Sequence, residues 1–253
     1  MRRINLNDTT FLVLVRVESI ERIENLLASV DFLLKQFDTN ILIWECSSYN
    51  NNFLNKLLKK EVSYKFIKDH DTILYRTRYL NKMTLEAVTP FLAIWDVDVI
   101  IPEKQIIKSI DFLRTHEADI VYPYTKYFLD TSDIIRQLYL ESRKLKVLMD
   151  NRNKMKAMYS PNPVGGAFFC NRSKYIESGM ENEKFYGWGF EDGERYVRFE
   201  KLNYKIKQIE GPLFHLSHPR GLNSDIQHAD QQLIKMREGT FSSHIQTINN
   251  EYE

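Results

Sequence analysis

Phe91-Leu-Ala-Ile-Trp-Asp-Val-Asp98 is the stretch from which the rest of the chain can be read. Five apolar residues in an unbroken run have the length and character of a strand buried on both faces. Two carboxylates follow at its C-terminal end, the sheet edge where α/β proteins bind ligands. In extended backbone alternate residues share a face, so Asp96 and Asp98 can point into one site. Such a pair suits a hard divalent cation that bridges to a diphosphate. Two solvated loop acids are the competing interpretation, because short acidic motifs arise by chance. The buried strand in front of them favours the site.

Upstream, Phe11-Leu-Val-Leu-Val-Arg-Val17 is another strand-length apolar run. Ser19 then caps a helix whose apolar face carries Ile20, Ile23, Leu26, Leu27, Val30, Leu33, Leu34 and Phe37, with Glu21 favoured by the helix dipole. Ile41-Leu-Ile-Trp44 and Tyr64-Lys-Phe-Ile67 read as strands, with a helix from Asn50 to Lys60 between them. Arg76 to Val88 is helical and Pro90 ends it. Downstream, Pro102 opens a helix, where its missing N–H costs nothing. Asp119-Ile-Val-Tyr122 is a further strand, and Thr131 to Met158 reads as charged helix broken at Ser160-Pro-Asn-Pro163. Strands alternating with helices imply α/β crossover units and one mostly parallel sheet covered on both faces. The expected organisation is a single domain over 1–253. About 10–125 forms a nucleotide-binding half, about 160–222 a second half, and 223–253 a peripheral helical tail with a frayed end.

Composition removes several classes. The 253 residues are 43% hydrophobic and 13% aromatic, enough to fill a core. Thirty-five basic against thirty-four acidic residues leave a net charge of +1, so no broad attraction to nucleic acid is expected. Two cysteines, Cys46 and Cys170, are too few for a disulfide scaffold. None of the nine glycines precedes Gly165, which excludes a glycine-rich phosphate cradle in the first half. No run reaches the length of a membrane span, and the expected setting is soluble and cytoplasmic. Arg143, Lys144 and Lys146 read as a solvated helix face, and a peripheral membrane contact through one amphipathic helix stays open.

Two further constellations carry chemistry. His215-Leu-Ser-His218 offers imidazole ligands, which with Asp98 favour manganese, iron or zinc over calcium. Phe185-Tyr-Gly-Trp-Gly-Phe-Glu-Asp192 displays Trp188 between Gly187 and Gly189, ahead of Glu191 and Asp192 at the start of a helix through Tyr196 and Phe199. Acids there can simply cap the helix. An aromatic plane beside two carboxylates is also a natural sugar-binding surface, and one carboxylate can act as a general base.

Taken in order, strand-Arg16, Arg76-Thr-Arg-Tyr-Leu-Asn81, D-x-D, Val164-Gly-Gly-Ala167, G-W-G-x-E-D and H-x-x-H resemble the GT-A-fold glycosyltransferases, specifically the lactose-synthase-type galactosyltransferases and their bacterial family 2 relatives. The resemblance spans about residues 10 to 220. It implies a GT-A fold, a nucleotide-half sheet fused to an acceptor half, and a manganese (or magnesium) cofactor held by Asp98, His218 and His215. It further implies donor contacts from Arg16, Arg76, Asp96 and Gly166, with Glu45 a stand-in for the acid that contacts uracil. Trp188, Glu191 and Asp192 fall at the acceptor site, with Asp192 the expected base. Phe190 stands where the family has a glycine and Gly193 where it has a third acid.

The implied reaction is transfer of a hexose or N-acetylhexosamine (galactose, GalNAc or GlcNAc type) from a UDP-sugar to a hydroxyl of a glycan or lipid-linked glycan, as in bacterial polysaccharide synthesis. Inversion is expected, because retaining relatives carry asparagine where this chain has Asp192. A nucleotidyltransferase using the D-x-D acids is one alternative; a carbohydrate-binding protein on an inactive transferase fold is another.

Overall fold

The computed structural model describes residues 3–159 and 163–221. The expected tail helix and most of the Ser160–Pro163 break lie outside the described residues. The first half runs β1 (Ile4–Val15), α1 (Ile20–Gln36), β2 (Phe37–Ser47), α2 (Phe53–Leu57), β3 (Val62–Lys68), α3 (Arg76–Glu86) and β4 (Phe91–Trp95). It continues through β5 (Val99–Ile100), α4 (Glu103–Arg114) and β6 (Ile120–Tyr122). The second half comprises β7 (Tyr127–Asp130), α5 (Asp133–Ser142), α6 (Leu145–Asn151), β8 (Lys156–Met158), β9 (Ala167–Asn171), α7 (Arg172–Glu177), α8 (Glu191–Lys201), β10 (Ile206–Gln208) and β11 (Pro212–His215).

Seven strands form the main sheet in the order β10-β6-β9-β4-β1-β2-β3. Every pairing in it is parallel except those of β9, which runs antiparallel to both β4 and β6. The alternation along β1 assigns its faces. Phe11, Val13 and Val15 pack with Leu26 and Leu33 of α1 and Ile106 and Ile110 of α4. Leu12 and Leu14 face the other way, with Leu80 and Met83 of α3, Tyr175 of α7 and Phe199 of α8. A sheet covered on both faces explains why its strands read as continuous apolar runs. Ser19 caps α1 as expected, its hydroxyl accepting the Arg22 N–H at 3.3 Å.

A second sheet, β5-β11-β7-β8, packs at the C-terminal edge of β4. It was not expected, because strands of two to four residues carry no readable periodicity. Two other expectations are corrected. The helix from Asn50 to Lys60 shrinks to Phe53–Leu57 behind Asn52, whose left-handed φ of 56° starts the chain turning too late for a longer helix. Thr131–Met158 is not one helix either. Arg143 ends α5 in the left-handed conformation with φ 52°, α6 follows, and the stretch finishes as strand β8. Among the described residues no helix is long and apolar enough to cross a membrane.

Candidate functional site

The site assembles around the end of β4. Trp95 donates its indole N–H to the Ser29 hydroxyl at 3.1 Å, and that hydroxyl donates to the Val99 carbonyl at 2.9 Å, pinning the Asp96–Asp98 turn to α1. β5 then pairs antiparallel with β11, His215 opposite Val99, and the Leu216 N–H donates to the Asp98 carbonyl at 2.8 Å. Backbone pairing thus brings two histidines to an acid more than a hundred residues away in sequence.

His218 Nε2 lies 3.2 Å from one Asp98 carboxylate oxygen, and His215 Nε2 lies 3.6 Å from the other. Each imidazole is oriented from behind. His215 Nδ1 meets Asp130 Oδ1 at 2.7 Å, and His218 Nδ1 meets the Pro219 carbonyl at 2.8 Å. With Nδ1–H donating to these oxygens, a neutral imidazole at either position would offer its Nε2 lone pair to an ion beside Asp98. This donor set fits a divalent ion, and the ligand atoms of all three residues lie within 4.8 Å of one another. Burial alone would raise the Asp98 pKa, but His215 and His218 outweigh it and hold the carboxyl far below the usual carboxylate range. Burial likewise opposes charge on His215, yet Asp98 and Asp130 raise its pKa above the ordinary imidazole value.

Asp96 turns to a different partner. Its Oδ1 accepts from Arg76 Nη2 at 2.5 Å, at the first residue of α3, and its own N–H donates to the Gly166 carbonyl at 2.9 Å. Burial, opposed by Arg76 and reinforced by Asp98, raises its pKa. Burial disfavours charge on Arg76 too, but Asp96, Asp192 and Glu191 overcome it and raise that pKa. Arg76 is thus the cation toward which three site acids converge.

Asp192 and Glu191 open α8, and they do different things. Asp192 Oδ1 accepts from Arg195 Nη2 at 2.5 Å; Arg195 in turn is held by both oxygens of Glu181 at 2.8 Å and lies 4.2 Å over the Phe168 ring. Its Oδ2 faces Gly165, where an added Cβ would stand only 2.5 Å away. Glu191 is buried and accepts the Gly189 N–H at 2.7 Å, so it fastens the loop that displays Trp188. Burial and the neighbouring Asp192 push its carboxyl up to about 8.

The remaining expected residues are placed as follows. Arg16 is buried and spends its guanidinium on the Cys46, Asp71 and Thr72 carbonyls and on Asp69 at 2.6 Å, so it shapes the loop after β3. Glu45 is buried on β2 and accepts the Tyr64 hydroxyl at 2.7 Å. Gly166, at φ +78°, has no room for a side chain against Phe128 and Leu213, whereas Gly165 is the glycine that meets Asp192. Trp188 is half-buried against Tyr159, whose ring packs on Phe128 and through it on His215. Sequence reasoning missed Asp130, Tyr159, Gly165 and Arg195. Only Gly165 left a trace, in the Gly-Gly pair; the others are placed by register or packing.

Residues 148–219 match a family model described as the N-terminal domain of galactosyltransferase. No curated protein sequence matches the chain. Several solved structures share its fold. The catalytic domain of Drosophila β1,4-galactosyltransferase 7 in complex with xylobiose is 13% identical, with a TM-score of 0.54 over 89% of this chain and 79% of that one. Glucosyl-3-phosphoglycerate synthase from Mycobacterium tuberculosis, in complex with Mn2+, UDP and glucosyl-3-phosphoglycerate, is 13% identical, with a TM-score of 0.57 over 92% and 80%. A mannosyltransferase from Pyrobaculum calidifontis, in complex with GDP-Man and Mn2+, gives 13% and 0.57 over 92% and 64%. The chain therefore has the GT-A glycosyltransferase architecture, and its residues 148–219 are similar to the galactosyltransferase family model.

Proposed function

We propose that this chain is an inverting, manganese-dependent glycosyltransferase that moves a hexose or N-acetylhexosamine from a UDP-sugar to a hydroxyl of a glycan, free or lipid-linked. The observation that carries it is the division of charge across the Gly165–Gly166 turn. On one side lie Asp98, His215, His218 and the Arg76–Asp96 pair. On the other, Asp192 presents Oδ2 against Gly165, and the neighbouring loop displays Trp188 against Tyr159. Residues of about 10–125 serve the donor and those of about 160–222 the acceptor.

Asp98, His215 and His218 would hold the manganese ion, which when bound supplies a Lewis acid to the leaving diphosphate. Arg76 contributes a second positive contact there, with a planar fork suited to phosphate oxygens. Asp192 takes the acceptor hydroxyl's proton as that oxygen bonds to the anomeric carbon and the bond to the diphosphate breaks on the opposite face. Burial and the neighbouring Asp192 charge favour the protonated form of Glu191, which fastens the loop through the Gly189 N–H, and this supports Asp192 as the base. Trp188 offers a ring face to sugar C–H groups.

The test joins calorimetric UDP binding to a UDP-release screen over donor sugars. Wild type is expected to bind UDP only with manganese, and Asp98→Ala to lose that binding. Asp192→Asn should keep binding and lose about 10²–10⁴ in transfer rate. Metal-independent UDP binding, full turnover by Asp192→Asn, or a product with the donor's anomeric configuration would each overturn the proposal.

A further inference from the structure

Away from this site, a cleft of about 330 Å³ opens between α1 and the α5–α6 turn. The two helices reach it from the histidine loop. Asn25 of α1 donates to the Leu216 carbonyl at 2.8 Å, and Ser217 donates to Asp133 of α5 at 3.1 Å. Lys35 and Arg143, which line the cleft, stand ten residues further along each element, about 15 Å at helical rise. The cleft shares no lining residue with the candidate active site.

Its lining has the makings of an anion site. Phe32 and Tyr139 supply apolar walls, while Lys35, Lys59 and Arg143 supply cations. Lys59 is paired with Asp31 at 2.7 Å. Lys35 and Arg143 have no acidic partner among the described residues, which leaves two positive charges uncompensated at one cleft. Arg143 adds two separate signs. Its Nη1 is shielded from solvent yet meets no acceptor among the described residues, an arrangement that leaves a guanidinium N–H unsatisfied there. Its backbone sits in the left-handed region, φ 52°, where a non-glycine residue pays about 1–2 kcal/mol. That conformation ends α5 at the residue which lines the cleft. Of the solvated helix face expected for Arg143, Lys144 and Lys146, the two lysines are exposed, whereas Arg143 is half-buried and lines the cleft.

We propose that this cleft is a second binding site, specific for a phosphate monoester group and separate from the donor site. A guanidinium fork with a neighbouring ammonium matches phosphate oxygens in number and geometry, and the Phe32–Tyr139 wall takes the apolar part of the ester. Two sources carry this group: a free organic phosphate, or the headgroup of an anionic lipid. The outer face of α5 exposes Ile134 and Leu138, one turn apart, with exposed Lys144 and Lys146 following.

Calorimetric titration with inorganic phosphate and glycerol 3-phosphate, and co-sedimentation with phosphatidylcholine vesicles with and without phosphatidic acid, test the proposal. Wild type and Arg76→Ala are expected to bind at least one phosphate probe saturably, and Arg143→Ala to bind it about 10–100-fold more weakly, as loss of a charge-assisted contact implies. Lys35→Ala should weaken binding in the same direction and guards against a folding defect in Arg143→Ala. Binding of the soluble esters assigns a free ligand, and binding confined to phosphatidic acid vesicles assigns a headgroup; either supports the site. Absence of saturable binding to every probe, equal affinity in both cleft variants, or loss on Arg76→Ala instead would overturn it.

Discussion

Gly165 and Asp192 touch so closely that the glycine sets where the carboxylate stands. A methyl group at residue 165 would lie 2.5 Å from Asp192 Oδ2, and the atom that yields is the end of a side chain. Gly165 is not among the positive-φ residues, so its backbone tolerates alanine. Gly165→Ala is therefore expected to melt close to wild type and to bind UDP and manganese normally. Transfer should fall by about 10², the cost of moving a reacting group by about an ångström. A kcat unchanged in this variant would sink the assignment of Asp192. Asp130 is the corresponding residue behind the proposed metal ligands, paired in register with His215 on neighbouring strands. Asp130→Asn should weaken manganese affinity by about 10–100-fold in a direct titration, with no assay of turnover needed. Neither residue has a local signature. Asp98, His215 and His218 could be read because carboxylate and imidazole at those spacings already suggest ligands. Asp130 is one acid among thirty-four until strand pairing sets it against a histidine.

Helix α8 concentrates the electrostatic strain of the fold. It starts behind Phe190, held at φ 66° where glycine would be free of cost, and it buries Glu191, Glu194, Arg195 and Arg198. Glu194 and Arg198 satisfy each other at 2.9 Å, and Arg198 also donates to the Ser178 and Met180 carbonyls. Glu191 accepts the Gly189 N–H, and burial with the neighbouring Asp192 charge, opposed by Arg76, pushes its carboxyl up to about 8. The sign of its effect on stability follows. An unfolded chain releases this proton near pH 4.5, while the native state keeps it to about 8, so the native state binds more protons across that window. Stability from this group is full below pH 4.5 and is lost as pH rises through 8. Glu191→Gln, whose amide oxygen can still accept from Gly189, should flatten the fall in melting temperature between pH 5 and 8. An unchanged slope would show that Glu191 is ionised in the native protein. The acids at the start of α8 and the serine cap of α1 were legible because helix ends have residue preferences. The strands of the small sheet were not, being too short for any period.

The main sheet closes only through β9, which fills the gap between β4 and β6 from the far half of the chain. Alternating apolar runs revealed a mostly parallel sheet, but nothing local marks a strand that enters antiparallel beside β4 from so much further along the chain. A fragment ending at residue 159 lacks β10 as well as β9, so β4 would keep one open, apolar edge and β6 would have no partner in the main sheet, and such edges template aggregation. It is expected to sediment after refolding at concentrations where the longer chain stays dispersed; a monomeric, cooperatively melting fragment would contradict this account of β9. The same topology puts Asp98 and His218 at opposite ends of a long stretch of translation. At about 5–20 residues per second, about 6–24 s separate their synthesis. For nearly all of that interval the nascent chain carries its two acids without His215 or His218 to answer them. The proposed cation site is thus complete only after the sheet that frames it has been made, and a chain stalled before His215 lacks two of its three proposed ligands.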